Sequence, residues 1–225
     1  MKNKLLSILF YTLSIIMLIL YIYIDFFSVI IINPLIKLFI LFIICFLTYF
    51  GGLFLTKYNI KYKYIIYKTN LIIWFILYLI FLLRITLFDI FFNRRGFLCI
   101  RYNRIIFRDY INYVINLIPF KVIIEFIIDF INKKVSSGIF ISNLLGNFIA
   151  FMPFAFFLPR LFKKENNTKI FLITMFILVS IVEITQFITL SGTFDIDDYI
   201  LNVGGSYLMF KFLKKDKINK LLKKE

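Results

Sequence analysis

The sequence predicts an all-α protein: a polytopic transmembrane helical bundle of about six spans, plus one amphipathic helix that lies in the interface or re-enters the membrane. Three observations carry this. The 225 residues are 62% hydrophobic and only 17% charged, against roughly 45–50% and ~25% in soluble chains. The mean hydropathy is +0.92. The charges lie between apolar runs of about 20 residues, the length that crosses a bilayer.

Those runs are 5–24, 36–56, 70–91, 138–160, 169–190 and a shorter one at 199–213. The first follows Lys2 and Lys4 as a signal peptide would, but it is long and no small-x-small cleavage site follows, so it reads as a retained helix. Lys-rich segments at 57–68, 160–169 and 211–225 join Lys2 and Lys4 on one side of a six-span arrangement. The positive-inside rule places that side and both termini in the cytoplasm, and the acidic turn SGTFDIDDY (191–199) outside.

The connection 92–137 departs from the rule. Parity puts it outside, yet it carries Arg94, Arg95, Arg101, Arg104, Arg108, Lys133 and Lys134. An extra span at 110–132 would bury Lys121, Glu125 and Asp129, each at about 2.5–3.5 kcal/mol. Their four-residue spacing places them on one face, with Ile, Val and Phe on the others, the pattern of an interfacial or re-entrant helix.

Composition also excludes functions. The net charge of +15 flanks apolar runs as anchors for anionic headgroups do, so membrane lipids and not nucleic acid are the expected partners. With no histidine and only Cys45 and Cys99, a zinc centre lacks its usual donors and a disulfide framework is not expected.

The candidate chemistry lies in the last three runs. Asn143 and Asn147 share a helical face with Gly146 beside them, read first as amides bonding across a helix interface and a glycine permitting close approach. Pro153 and Pro159 are expected to kink and then end that helix. Glu183 and Gln186 lie one turn apart, and an acid at this depth marks a functional position. Asp195, Asp198 and Asn202 form one stripe if they open the last helix, with Asp195 also readable as an N-cap and Asp197 as solvated. Gly204 and Gly205 read as a close-packing pair. Asp195, Asp198 and Glu183 could hold a divalent cation such as Mg²⁺. They are the candidate catalytic and metal residues, while Asn143, Asn147, Glu183, Gln186, Asp195, Asp198 and Asn202 are the candidate ligand-binding set.

NLIPF (116–120), NLLGNFIAFMPFAFFLP (143–159), IVEITQF (181–187) and FDIDDYILNVGG (194–205), with ITLFD (85–89) as a weaker match, stand in an order that resembles VanZ-like membrane proteins. The resemblance implies roles for Asn116, Pro119, Phe120, Asn143, Gly146, Asn147, Pro153, Glu183, Gln186, Asp195, Asp198, Asn202 and Gly205. Such proteins often carry an arginine shortly before the acidic cluster. SGT stands there at 191–193, with Arg84 or the arginines of 92–137 as substitutes.

The expected division is a two-helix N-terminal segment (1–69), a VanZ-like membrane domain (70–213) and a basic cytoplasmic tail (214–225). The resemblance implies a multi-pass protein of the cell membrane that contributes to glycopeptide resistance of the teicoplanin type. It would do so by binding an envelope lipid, a lipid-linked glycan precursor or a lipoglycopeptide. The alternative is an intramembrane metal-dependent enzyme acting on a lipid-linked substrate. Catalysis stays open at this stage, with a non-enzymatic role favoured.

Overall fold

A computed structural model describes residues 1–27, 32–89, 115–189, 192 and 194–214. The chain divides into two compact units, Met1–Arg94 and Arg95–Glu225. The loop arginines 94–108, Cys99 and the tail 215–225 lie outside the described residues.

The first unit is three helices: α1 (Lys2–Ile22, continued by a wider π turn to Phe27), α2 (Pro34–Tyr58) and α3 (Lys63–Leu83, continued by a π turn to Phe88). Asn33 starts α2, its side chain accepting from the Leu35 N–H at 2.9 Å with Pro34 at the first helical position. Tyr21, Leu41, Ile44, Leu77 and Phe81 form the core between them.

A polar seam runs through this apolar packing. Ser7 donates to the Gly51 carbonyl at 2.8 Å, Asn70 Nδ2 donates to the Thr48 carbonyl at 3.2 Å and Trp74 Nε1 donates to Thr48 Oγ1 at 2.8 Å. Gly51 lies against the Tyr11 ring, where a Cβ would come within 3.0 Å. Small residues and hydrogen bonds hold helices together where lipid supplies no hydrophobic drive.

The second unit contains α4 (Lys121–Ile131), α5 (Ser137–Ala150), α6 (Phe154–Leu161), α7 (Thr168–Ile188) and α8 (Ile196–Lys214). Two short strands, β1 (Ile115–Asn116) and β2 (Phe194–Asp195), pair in parallel ahead of α4 and α8. Asn167 caps α7 through the Lys169 N–H at 2.9 Å. Phe171 stacks on Phe210 at 4.3 Å in the core between α7 and α8.

Among the described residues five helical stretches are long and apolar enough to cross a membrane: Lys2–Phe27, Pro34–Tyr58, Ile60–Phe88, Asn143–Leu161 and Thr168–Ile188. The bundle is thus all-α and polytopic, and these stretches correspond to the first five expected spans. The sixth expected span is α8, 19 residues or about 28 Å long. Asp197, Asp198, Lys211 and Lys214 set it apart from the other five.

In the fourth span Pro153 does more than kink. α5 stops at Ala150 and α6 starts at Phe154, whereas Pro159 lies inside α6, which ends two residues beyond it. α4, at 11 residues, is about 16 Å long and too short to cross the ~30 Å hydrocarbon. Its half-buried side is Val122, Ile123, Phe126 and Asp129, while Lys121, Glu125, Ile124, Ile127, Ile128 and Ile131 are exposed.

Candidate functional site

The polar chemistry of the second unit is organised around the start of α8. Paired strands bring the NLIPF and FDIDD motifs side by side, Ile115 opposite Phe194 and Asn116 opposite Asp195. Asn116 Nδ2 donates to Asp195 Oδ1 at 2.8 Å, and the same oxygen accepts from the Asp197 N–H at 2.9 Å. The second bond caps α8, so the N-cap role weighed for Asp195 is filled alongside a tertiary one. Burial raises the Asp195 carboxyl above the usual aspartate range. Its bonds from the Asp197 N–H and Asn116 pull the other way, and the neighbouring carboxylates of Asp197 and Glu125 push it further up.

Asp197 corrects the expectation of a solvated side chain, for it is only 1% exposed. Its carboxylate accepts from the N–H groups of Phe120, Val122 (2.8 Å) and Ile123 (3.1 Å). These are donors at the first turn of α4, which intrahelical bonding leaves unpaired. A negative charge there also faces the positive end of the helix dipole. Phe120, the residue before α4, sits in the left-handed region at φ 64°, an outlier for a bulky side chain that the bond to Asp197 helps hold. Asp197 therefore fixes α4 to the start of α8, a tertiary role that its position inside DIDD does not reveal.

The other expected residues divide. Asn147, half-buried on α5, donates to Asp198 Oδ1 on α8, the interhelical bond foreseen for an amide here. Asn143 is on the outward side of the same helix. Glu183 and Gln186 are both buried on α7, at 2% and 5% exposure, and Asn202 is buried on α8. The Asn202 Oδ1 has no hydrogen-bond partner among the described residues.

The glycines also divide. A Cβ at Gly205 would collide with the Phe148 carbonyl of α5, whereas one at Gly146 or Gly204 would meet nothing within 4 Å among the described residues. Close helix approach thus belongs to Gly205 and not to Gly146 or Gly204.

Asp195 is held by Asn116 and a backbone N–H, Asp198 by Asn147, and among the described residues no group of three or more acidic, Cys or His side chains is placed to hold a metal ion.

Sequence reasoning missed a second polar centre, in the first unit. Lys37 Nζ lies 2.8 Å from Asp25 Oδ1 and 2.6 Å from Asp89 Oδ2, and Arg84 Nε donates to Asp25 Oδ2 at 2.9 Å. Arg84 also donates to the Asp25 carbonyl at 2.6 Å and stacks over Phe26 at 4.5 Å. Arg84, named as a substitute for the missing arginine, is thus engaged with Asp25. The signal was present: Asp25 and Lys37 are opposite charges at the facing ends of two apolar runs, and neither is tolerated in lipid without a partner.

A model of the VanZ/LLP1 family matches residues 75–215, well over half of the chain. The match begins within α3, covers Arg84 and Asp89, and extends through the whole of α8. No curated protein and no solved structure matches.

Proposed function

The chain belongs to the VanZ/LLP1 family, and on that footing we propose that it is a multi-pass protein of the cell membrane, non-enzymatic, whose second unit binds the polar end of an envelope amphiphile. Membrane lipids, a lipid-linked glycan precursor and a lipid-tailed glycopeptide of the teicoplanin type share that chemistry, and capture of one of them contributes to glycopeptide resistance. The observation that carries the reading is Asn202. Its buried Oδ1 has no partner among the described residues, in a unit that also buries Glu183, Gln186 and Asp195. Unsatisfied acceptors in an apolar setting cost free energy, and a ligand's hydroxyl or amide would recover it. Lys-rich segments on one side of the spans support cytoplasmic termini and an outward-facing acidic turn.

The test uses shape-conserving changes. Glu183→Gln and Asp198→Asn, expressed at the level of the intact protein, raise teicoplanin sensitivity and shift envelope lipid composition. Unchanged sensitivity and composition in both would end the proposal. The alternative is a Mg²⁺-dependent intramembrane enzyme with Asp195, Asp198 and Glu183 as ligands, of which Asp195 and Asp198 already accept from amides and a backbone N–H. Chelator-sensitive turnover of a lipid-linked substrate by purified protein would reinstate it.

A further inference from the structure

The corner between α4 and α5 carries a cleft that mixes polar and apolar side chains. An open cleft of about 670 Å³ is lined by Lys133, Ser136 and Ser137 together with Phe130, Ile131 and Val135. A cation and hydroxyls beside apolar side chains suit the two parts of an amphiphile, and the volume is in the range of ligand sites.

The chain closes α4 here with a Schellman turn. The Lys133 N–H donates to the Phe130 carbonyl at 3.0 Å and the Lys134 N–H to the Asp129 carbonyl at 2.9 Å. The geometry requires a left-handed residue at position 133, which has φ 56°. Glycine normally fills that position, and an ordinary side chain there costs on the order of 1–2 kcal/mol. Lysine stands there instead, its exposed side chain on the cleft. Lys134, next to it, is drawn to Asp129 at 3.4 Å.

α4 also fixes the depth. It is too short to span, and its outward Ile124, Ile127, Ile128 and Ile131 give it an apolar face suited to the boundary between headgroups and acyl chains. We propose that this cleft binds the phosphate of an anionic membrane lipid, with Lys133 supplying the charge, Ser137 a hydrogen bond, and the isoleucine face of α4 lying among the acyl chains. The site shares no side chain with the polar cluster around Asp195 and Asp198, and it needs the earlier proposal only in that the chain is membrane-embedded.

The test is native mass spectrometry of the full-length protein in neutral detergent, offered equal amounts of dioleoyl phosphatidylglycerol and dioleoyl phosphatidylcholine. The intact protein retains phosphatidylglycerol preferentially. Lys133→Asn, chosen because asparagine tolerates the left-handed backbone, lowers that retention about fivefold, the factor one lysine supplies at an anionic surface. Lys133→Arg retains it, and phosphatidylcholine retention stays the same throughout. Equal retention of the two lipids by intact protein, or undiminished phosphatidylglycerol retention in Lys133→Asn, overturns the proposal. So does displacement of the lipid by millimolar inorganic phosphate, which would identify free phosphate as the ligand. Lipid retention at Lys133 and antibiotic sensitivity at Glu183 and Asp198 are separate readouts, so the two proposals fail separately.

Discussion

The two units solve the same problem, polar groups among lipid-embedded helices, in different ways. In the first, Asp25 and Asp89 are neutralised by Lys37 and Arg84, charge against charge, at 2.6–2.9 Å. In the second, Asp195, Asp197 and Asp198 accept hydrogen bonds from amides and backbone N–H groups. The four charges of the first unit, two of each sign, act as a lock that ties the end of α1, the start of α2 and the turn after α3. The difference teaches that intramembrane acids are not of one kind: one set is tied by ion pairs, the other by amides and helix-end N–H groups.

That comparison can be broken most forcefully at Lys37. Lys37→Met strands Asp25 and Asp89 in the apolar interior and costs about 3–5 kcal/mol, seen as a large drop in the thermal unfolding midpoint in detergent. If the first unit is a lock, adding Asp89→Asn to Lys37→Met recovers part of the loss, because one of the stranded charges goes with it. A Lys37→Met protein as stable as the parent would remove the distinction.

The next effect is at Asp197. Truncation to Ala frees three backbone donors and costs about 2–3 kcal/mol. Hydrogen exchange at the Val122 and Ile123 amides accelerates more than at α7 amides, since the loss is local to α4.

Smaller still is Gly205→Ala, which forces α8 away from the Phe148 carbonyl at about 1–3 kcal/mol, while Gly204→Ala, with open space around it, leaves the midpoint unchanged.

The smallest change is Asp195→Asn, below about 1 kcal/mol at neutral pH, because the amide oxygen can still accept from Asn116 and the Asp197 N–H. Its pH signature is more informative. Burial raises the folded carboxyl above its unfolded value, so the folded state holds the proton more tightly. The stability this contributes is full below the unfolded pKa and is lost as pH rises through the folded one. Asp195→Asn flattens that decline in a pH scan of the unfolding midpoint. A scan identical to the parent would contradict the burial of a titrating Asp195.

Much of this was legible in residue order alone. Five apolar runs mark five helices, and the four-residue spacing of Lys121, Glu125 and Asp129 marks the amphipathic α4, because lipid imposes a one-dimensional requirement: every backbone group satisfied within its own helix over a fixed thickness. Glu183 and Asn202 could be named from sequence for the same reason, since a polar side chain inside an apolar run is visible without coordinates. Asn147 was foreseen as an interhelical donor, but its acceptor, Asp198, was not. Asp197 was misread because its three donors are more than 70 residues away, and the left-handed Phe120 that goes with it has no compositional mark.

The sequence by itself determined the solvent, where the apolar helical stretches lie and which polar residues stand among them, since each follows from local hydropathy and spacing. Only the tertiary structure decided the pairings: Asp25 with Lys37 and Arg84, Asp197 with the first turn of α4, Gly205 against Phe148. Those depend on which helix faces meet, and charge or hydrogen-bond partners are chosen by distances in space that spacing along the chain does not encode.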